Sequence, residues 1–339
     1  MSLRLSQNTI ILNTSPSIAS YASIVGKKEG EGPLGKHFDV VNDDNTFGES
    51  TWEKSESRLQ KDTVSKAISK ANLVPSDIDF IFAGDLLNQC IGTTFGLREL
   101  EIPFIGLYGA CSTMAESIAM AGIFIDNDVA INATAVTSSH FCSAEKQFRF
   151  PLEYGGQRTP TSQWTATASG AVVINKKNAP PFIRAVTIGK IMDLGVVDVN
   201  NMGAAMAPAA HYTIGKHLAD TGKRPEDFDL ILTGDLGQVG TELLIDLLNR
   251  DGIDITENHN DCGLMLYDLD EQDVHAGGSG CGCSASVLCG YILDQIKDGI
   301  LSDVLFVATG ALMSPTTVDQ GESIPGIAHA IHISSKSEK

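Results

Sequence analysis

A twelve-residue phrase occurs twice in this chain, with an offset of 150 residues. Residues 75–86 read PSDIDFIFAGDL, and residues 225–236 read PEDFDLILTGDL. Each copy follows a segment of helical periodicity and contains a proline-led acidic turn, a short apolar run and a Gly-Asp end. An apolar run of this length is typical of a strand buried on both faces. The repeat therefore predicts two similar α/β halves and not a short-period solenoid.

The boundary between the halves is predicted near residue 200. The first half, 1–200, includes a polar, glycine-rich segment at about 26–56, which we interpret as a surface loop inserted before the first helix. The second half is 201–339 and begins with a loop rich in Met, Ala and Pro. Strands are predicted to alternate with helices in both halves, which favours mainly parallel sheets.

Composition excludes several classes of protein. The 339 residues are 42% hydrophobic and 19% charged, which is enough for a large core. A net charge of −18 without clusters of Lys and Arg argues against a nucleic-acid partner. No apolar run reaches the roughly 18 residues of a spanning helix and no secretory signal is evident, so the chain is expected on the cytosolic side. Seven cysteines, an odd number, do not indicate a disulfide framework.

The first candidate site residue is Cys111, in the phrase GLYGACSTMAES at 106–117. A strand is predicted to end at Tyr108, so Cys111 lies where the next helix begins. A helix N-terminus lowers the pKa of a thiol and can hold an anion. Cys111 is therefore either a nucleophile or a small residue packed at a tight turn, since free cysteines are commonly buried.

A second candidate site is the glycine-rich segment GGSGCGCSAS at 277–286, which precedes an apolar helix. Its glycines indicate a close approach of the backbone to another group. Cys281 and Cys283 could be metal ligands, but a C-x-C pair alone is weak evidence for zinc. A glycine-rich loop that opens a helix is also suited to an anion, although this one matches no phosphate-binding motif well.

Three further polar residues stand at the predicted ends of elements. His211 lies at or just before the first turn of a helix and is either a helix-end hydrogen-bonding group or a catalytic base. Asp85 and Asp235 end the two repeated strands. Each either caps the following helix or faces a cleft shared by both halves, because ligands bind at the carboxyl ends of strands in such sheets.

Taken in order, these motifs resemble those of thiolases and ketoacyl synthases. YGACSTMAESIAMA is similar to the nucleophilic-cysteine turn of that family, and GGSGCGCSAS is similar to the late loop that carries a catalytic His or Asn. MGAAMAPAAHYTIGKHLADTGKRPEDFDLI resembles the loop, helix and strand between them. The resemblance covers nearly the whole chain. It implies an α/β, thiolase-like fold of two pseudo-repeated αβαβα halves, and a homodimer.

The sequence departs from this family at its other catalytic positions. Cys111 stands at the position of the acylated cysteine, but Cys281 replaces the His or Asn of the late loop. Asp235 stands at the strand end where synthases have His, and the segment near Thr309 lacks the second thiolase cysteine. A nucleophile without these partners loses most of its advantage, because such residues act as a unit. The chain is therefore expected not to be an enzyme; the alternative is an acyltransferase that uses Cys111, with His211 as a substitute base.

A narrower resemblance links the chain to a thiolase-like family of sporulation proteins of endospore-forming bacteria. It rests on GDLLNQ, FPLEYGGQRTPTSQWTATASGA, LTGDLGQVG and DCGLMLYD together with the motifs above. It implies a protein that binds dipicolinic acid and takes part in moving its calcium complex into the developing spore. Such a protein would work with membrane proteins of the same transport system, at the cytosolic face of the spore inner membrane.

Dipicolinate is a planar aromatic dianion, and helix N-termini following Cys111 and Cys283 could hold its carboxylates. No cofactor and no metal site belonging to the protein are expected. Calcium carried with the ligand would be met by Asp85 or Asp235, although calcium normally needs more oxygen ligands. The predicted ligand-binding residues are Cys111, His211, Cys281, Cys283, Asp235 and Asp85.

Overall fold

Strands alternate with helices along the chain, whose computed structural model describes residues 2–148 and 158–337. The strands are β1 (Leu3–Arg4), β2 (Thr9–Ile11), β3 (Ser17–Gly26), β4 (Val40–Asn42), β5 (Phe80–Gly84), β6 (Phe104–Gly106), β7 (Asn132–Ser139), β8 (Trp164–Thr165), β9 (Ala168–Asn175), β10 (Phe182–Ile188), β11 (Leu230–Thr233), β12 (His259–Asp261), β13 (Gly278–Ser279), β14 (Asp303–Ala311) and β15 (Gly326–Ser334). The helices are α1 (Lys27–Gly30), α2 (Trp52–Lys70), α3 (Ile91–Leu97), α4 (Thr113–Asp126), α5 (Phe141–Phe148), α6 (Met202–Thr221), α7 (Gly237–Arg250), α8 (Cys262–Leu266), α9 (Cys281–Val287), α10 (Leu293–Lys297) and α11 (Pro315–Asp319). A π-helical turn, Leu288–Ile292, joins α9 to α10.

The main strands form two sets with the same order and the same directions. The first set runs β3-β9-β7-β5-β6 and the second runs β10-β15-β14-β11-β12. In each set the first three strands are antiparallel to one another, and the third strand begins a run of three parallel strands. Each set is therefore mixed, whereas the sequence predicted mainly parallel sheets. The repeated strands β5 and β11 hold the same place in the two sets. The duplicated phrase is thus the trace of a duplicated fold.

Strand pairing divides the chain earlier than the boundary predicted at residue 200. β10 lies before that residue, but it pairs along its length with β15 of the second set. It meets the first set through one registered pair, Phe182 with Ser17 of β3. The two sets of strands therefore separate between β9 and β10.

The segment at 26–56 is not the plain surface loop that its composition predicts. It contains α1, the short strand β4 beside β3, and the first turn of α2. Glu29 within it is only 1% exposed, and its Oε1 accepts hydrogen bonds from the Thr167 N–H and the Tyr267 hydroxyl. Burial raises the pKa of the Glu29 carboxyl. A buried, hydrogen-bonded carboxylate thus fixes this segment to the core.

The methionine- and alanine-rich stretch predicted as a loop is the first half of helix α6. Pro208 lies inside that helix, where proline costs about 3 kcal/mol relative to alanine. Ala205, Met206 and Ala209 are nearly or fully buried in the apolar cluster beneath α6. This burial outweighs the low helix propensity of proline, so the helix begins at Met202 and not near His211.

Helices α4 and α9 form the layer between the two sets of strands. In α4, Met114, Ala115, Ile118 and Ala119 are fully buried, and α4 contacts strands of both sets. α9 is buried at every residue and packs on β9 and β7. The two candidate cysteine segments precede or begin these helices, so the layered architecture brings them together. In the part of the chain described, no helix combines the length and the apolar character needed to cross a membrane.

Candidate functional site

A sharp turn before α4 positions Cys111. Ala110 has a left-handed φ of 50°, and the Ser112 N–H donates to the Gly109 carbonyl at 3.0 Å, which closes the turn. The Ser112 hydroxyl donates to the same carbonyl at 2.7 Å. The Cys111 side chain is directed into the protein and is 5% exposed. It therefore lies at the predicted place, at the end of the β6 segment and the start of a central helix.

Asp235 lies opposite Cys111 and accepts a hydrogen bond from its thiol. One carboxylate oxygen, Oδ2, also accepts from the Gly280 N–H at 2.8 Å and the Ser279 hydroxyl at 3.3 Å. The other, Oδ1, accepts from the Thr309 hydroxyl at 2.9 Å. Asp235 is fully buried, and both of its oxygens are bonded within the protein.

The electrostatics of this pair oppose nucleophilic catalysis. Burial and the neighbouring Asp235 carboxylate raise the pKa of the Cys111 thiol well above its usual range, and hydrogen bonds from Gly280 and Ser279 offset this only in part. Reactive cysteines show the reverse, because a cationic neighbour or a helix end lowers the pKa of their thiols. Cys111 is therefore held as a neutral thiol at neutral pH.

Cys281 packs beside Cys111 in a small apolar cluster. Gly280 before it has a φ of 103°, and a Cβ there would lie 2.7 Å from the Ser139 Oγ, so glycine is required at this position. The Cys281 thiol donates to the Ser138 carbonyl at 2.9 Å. Burial, followed by the nearby Cys111, raises the pKa of the Cys281 thiol well above its usual range. The structure thus places two neutral thiols side by side.

Cys111 also lines a cavity of about 30 Å³ between the two halves. This is enough for one or two water molecules, since one needs roughly 10–15 Å³ of such space. Its walls are mostly apolar, and Glu145, Thr165 and Ser279 supply the acidic and short hydroxyl groups. The lining residues are Leu86, Tyr108, Ala110, Cys111, Ala144, Glu145, Phe148, Thr165, Met202, Ser279, Ala311 and Met313.

Of the residues predicted to bind ligand, Cys111 alone belongs to the described lining of this cavity, and Asp85 and Cys283 are engaged elsewhere. Asp85 is fully buried and accepts hydrogen bonds from Leu87 and from the N–H and hydroxyl of Thr93, so it caps the α3 region. Cys283 belongs to the main apolar core, where Cys262 is a close neighbour. Cys281 and Cys283 diverge because residues two apart in a helix lie on different faces.

The structure also corrects the expectation for His211. This residue lies in the middle of α6, and its Nε2 is 2.8 Å from a carboxylate oxygen of Asp251. It does not line the Cys111 cavity. The misplacement follows from the predicted loop, which put His211 at a helix end. Neither a role as substitute base for Cys111 nor a direct contact with a ligand there fits this geometry.

Several N–H groups at the helix N-termini near the cavity are already hydrogen-bonded within the protein. At the start of α9, the Gly280 N–H is bonded to Asp235 and the Gly282 N–H to the Ser139 hydroxyl at 3.2 Å. Before α4, the Ser112 N–H is bonded within its own turn. These three N–H groups are therefore not free for an anion in the cavity.

The cysteines and buried carboxylates were the candidates for disulfides and metal ligands. All seven cysteines are free thiols. Within residues 2–148 and 158–337, no group of three or more His, Cys, Asp or Glu side chains is arranged to hold a metal ion. The oxygens of Asp85 and Asp235 are engaged by protein donors and do not present a calcium site.

Sequence reasoning missed most of the cavity wall. Tyr108, Met202 and Ser279 stand inside the motifs that were singled out, but nothing marked their side chains individually. Helix α5, which supplies Glu145 and Phe148, was not predicted at all. The motif FPLEYGGQRTPTSQWTATASGA at 150–171 lies partly outside the described residues, and its described part supplies Thr165.

Comparison with known proteins identifies relatives across nearly the whole chain. The sequence model of the family Stage V sporulation protein AD (SpoVAD) matches residues 6–334. Stage V sporulation protein AD of Bacillus subtilis (strain 168) is 47% identical over 314 residues, which are 93% of this chain and 93% of that protein.

Solved structures with the same fold are far more distant in sequence. 3-Oxoacyl-[acyl-carrier-protein] synthase III from Aquifex aeolicus VF5 matches with a TM-score of 0.56 at 13% identity, over 94% of this chain and 99% of that one. OleA from Xanthomonas campestris matches with a TM-score of 0.60 at 12% identity, over 94% and 97%. These likenesses confirm the predicted thiolase-like fold.

Proposed function

This chain belongs to the Stage V sporulation protein AD family, and from that premise we propose that it is a non-catalytic dipicolinate-binding protein that serves calcium dipicolinate uptake into the developing spore. The observation that carries the non-catalytic part is the hydrogen bond from the Cys111 thiol to Asp235. A condensing or acyl-transfer enzyme needs a thiolate and a base, whereas this arrangement favours the neutral thiol. Among the described residues lining the cavity there is no histidine.

The cavity beside Cys111 is the proposed place for the aromatic ring. Tyr108, Phe148, Met202 and Met313 offer apolar and aromatic surface of the kind that lines small-molecule sites. A volume of about 30 Å³ holds no such ring, so binding requires the wall to move apart. Methionine side chains adapt readily, and Tyr108 is 43% exposed and can swing outward.

Charge favours entry of the ligand together with its cation. Glu145 lines the cavity, and no described lining residue is Lys, Arg or His. Glu145 already accepts a hydrogen bond from the Thr165 hydroxyl at 3.0 Å, whereas calcium bound to dipicolinate would reduce the repulsion between the dianion and the chain's net charge of −18. This supports binding of the calcium complex in preference to free dipicolinate.

A calorimetric titration with dipicolinate, in the presence and absence of calcium, tests this proposal. We expect saturable 1:1 binding to the wild-type protein that is tighter with calcium. Cys111→Phe should reduce affinity at least about hundredfold, because its ring fills the space proposed for the ligand. His211→Ala is the matched control and should bind like the wild type, since His211 faces Asp251.

If the wild-type protein gives no binding heat with dipicolinate, the proposed ligand is wrong. Normal binding by Cys111→Phe would instead refute the cavity as its site. Thermal melting of each variant distinguishes loss of the site from loss of the fold.

We also propose peripheral association with the cytosolic face of the forespore inner membrane, through membrane-embedded proteins of the same transport system. Family membership and the sporulation role in the name of the Bacillus subtilis relative support this proposal. Co-purification from sporulating cells, with and without detergent extraction of membranes, would test it.

The edge strand β6 is the proposed contact between two copies of the chain. Within the described residues β6 pairs only with β5, and Phe104 at its start is 41% exposed. An unpaired apolar strand edge readily adds a strand from another molecule. Thiolase-like proteins are expected to pair through their sheets, which favours a symmetric homodimer at this edge.

Phe104→Asp is expected to raise the dissociation constant of such a dimer at least about a hundredfold. A symmetric interface would bury the new carboxylate of both subunits. Sedimentation velocity over a range of concentrations measures this change. Ile300→Asp, at a residue 66% exposed in the second half, should leave the dimer intact. A wild-type monomer, or a Phe104→Asp protein that stays dimeric, would contradict the assignment.

A further inference from the structure

Trp164 lies between an aromatic ring and two cations. The Phe141 ring stacks on it with centroids 3.9 Å apart and an interplanar angle of 12°. The Lys28 Nζ lies 4.2 Å from the Trp164 ring centroid, and the Arg158 Cζ lies 4.8 Å from it. Since Phe141 covers one face, both cations share the other face of the indole.

Two cations this close repel each other unless an anion lies between them. Burial, followed by the charge of Arg158, lowers the pKa of Lys28. Arg158 pairs with Asp273 at 3.2 Å, but the Asp273 side chain is 81% exposed, so the attraction is screened by water. Asp273, Glu29 and Glu31 attract Lys28 and oppose this lowering of its pKa. The two cations thus share nearby carboxylates, in a chain whose net charge is −18.

One donor in this cluster is buried and unused. The Nη1 of Arg158 is inaccessible to solvent and has no hydrogen-bond partner in the described part of the chain. The Nη2 of the same guanidinium donates to the Asp273 carbonyl at 2.5 Å, and the Lys28 ammonium donates to the Gln272 carbonyl. The loop carbonyls thus hold both cations in place and leave Nη1 free. A buried donor without an acceptor is costly, which points to an acceptor that binds there.

The cluster is connected to the Cys111 cavity through neighbouring residues of β8 and α5. Thr165, the residue after Trp164 in β8, lines that cavity, and β8 pairs with β13, which contributes Ser279. Phe141 begins helix α5, whose later residues Glu145 and Phe148 also line it. The cations thus contact the residue that precedes a lining residue of the cavity, and the described lining itself contains no Lys or Arg.

We propose that Lys28 and Arg158, held over Trp164, bind one carboxylate of an aromatic dicarboxylate whose ring enters the adjacent cavity. The guanidinium supplies the free Nη1 donor and the ammonium supplies charge, a combination suited to a carboxylate. The second carboxylate remains with its cation near Glu145. This inference rests on the proposed function and names the group that attracts the dianion.

Fluorescence of Trp164 provides the test. In a Trp52→Phe background Trp164 is the remaining tryptophan, because the chain has two. This protein is titrated with dipicolinate and with isophthalate, which has the same two carboxylates but no ring nitrogen to chelate calcium. Arg158→Gln and Lys28→Gln should each weaken dipicolinate binding about ten- to hundredfold, as expected for loss of a charge-assisted hydrogen bond or a close charge. Arg158→Lys should recover part of the affinity.

Lys190→Gln is the matched control, because Lys190 also lies 4.2 Å from an aromatic centroid, that of Tyr212. It removes the same charge and the same kind of contact away from the cavity, so it should bind like the wild type. Melting curves for all variants show whether each one is folded.

The two proposals fail in different ways. If the wild type binds dipicolinate and both Gln variants bind it equally well, the carboxylate site is wrong and the proposed function stands. If dipicolinate gives no signal but isophthalate changes Trp164 fluorescence in a manner that needs Arg158, the site stands and the proposed ligand is wrong. If neither compound binds, both proposals are overturned.

Discussion

Gly170→Ala is expected to destabilise the protein by about 3 kcal/mol, because it forces the central helix α9 off the sheet beneath it. Gly170 lies inside β9, between Thr137 of β7 and Ser23 of β3. A Cβ built on it would lie 2.3 Å from the Ala285 carbonyl oxygen and 2.5 Å from its carbonyl carbon. Backbone atoms of a fully buried helix cannot move aside as a flexible side chain could.

Urea denaturation, monitored by circular dichroism, measures this loss as a lower midpoint. Gly215→Ala is the matched control in the other half. A Cβ at Gly215 meets only the Ile253 Cδ1 at 3.9 Å, and the residue lies within helix α6. Alanine there should stabilise the protein by up to about 1 kcal/mol through helix propensity. Equal midpoints for the two variants would show that α9 does not press on β9 as described.

The repeated phrase predicted the architecture because apolar periodicity records burial, and burial is what the two halves share. It could not predict how the surroundings of Asp85 and Asp235 would differ, although each residue follows the corresponding strand of its half. Asp85 caps a helix of its own half, whereas Asp235 accepts from Cys111 of the other half and from Gly280. The difference lies in the residues packed opposite each carboxylate, which a local pattern does not contain.

Local propensity failed in two places for a related reason. Pro208 indicated a loop, but tertiary burial of the neighbouring alanines keeps α6 helical, and His211 was consequently assigned to the wrong surroundings. β3, the strand at 17–26, was not predicted, because its serines and alanines interrupt the apolar pattern. It is buried because it pairs along its length with β9 and is covered by helix α2. Both errors arise where packing by distant segments outweighs the local sequence.

Asp235→Asn is expected to make the Cys111 thiol markedly more reactive toward alkylating reagents. Asparagine has nearly the same size, and its carbonyl oxygen can still accept from the Gly280 N–H. It removes the negative charge that, after burial, is the main cause of the raised pKa of Cys111. The pKa of Cys111 must therefore fall. At a pH below that pKa, each unit of decrease gives about ten times more thiolate, so alkylation should accelerate at least about tenfold.

Alkylation with a small methylating reagent, followed residue by residue with mass spectrometry, measures this effect. In the wild type, Cys111 should react more slowly than the half-buried Cys142, and the rate at Cys142 should not change in the variant. Asp261→Asn is the control, because it removes another buried carboxylate that binds Leu236 and Gly237 backbone instead of the thiol. It should leave the rate at Cys111 unchanged.

The wild-type rate separates the two functions that this fold could serve. A Cys111 that is alkylated fastest of all seven thiols and exchanges acyl groups with acyl-CoA would mean that Asp235 activates it, and the acyltransferase alternative would replace ligand binding. A slow wild-type Cys111 that accelerates in Asp235→Asn would mean that the Asp235 carboxylate keeps the thiol protonated. The cleft would then retain the geometry of a condensing enzyme while its charge arrangement prevents the first chemical step, which is the condition for using it as a binding site.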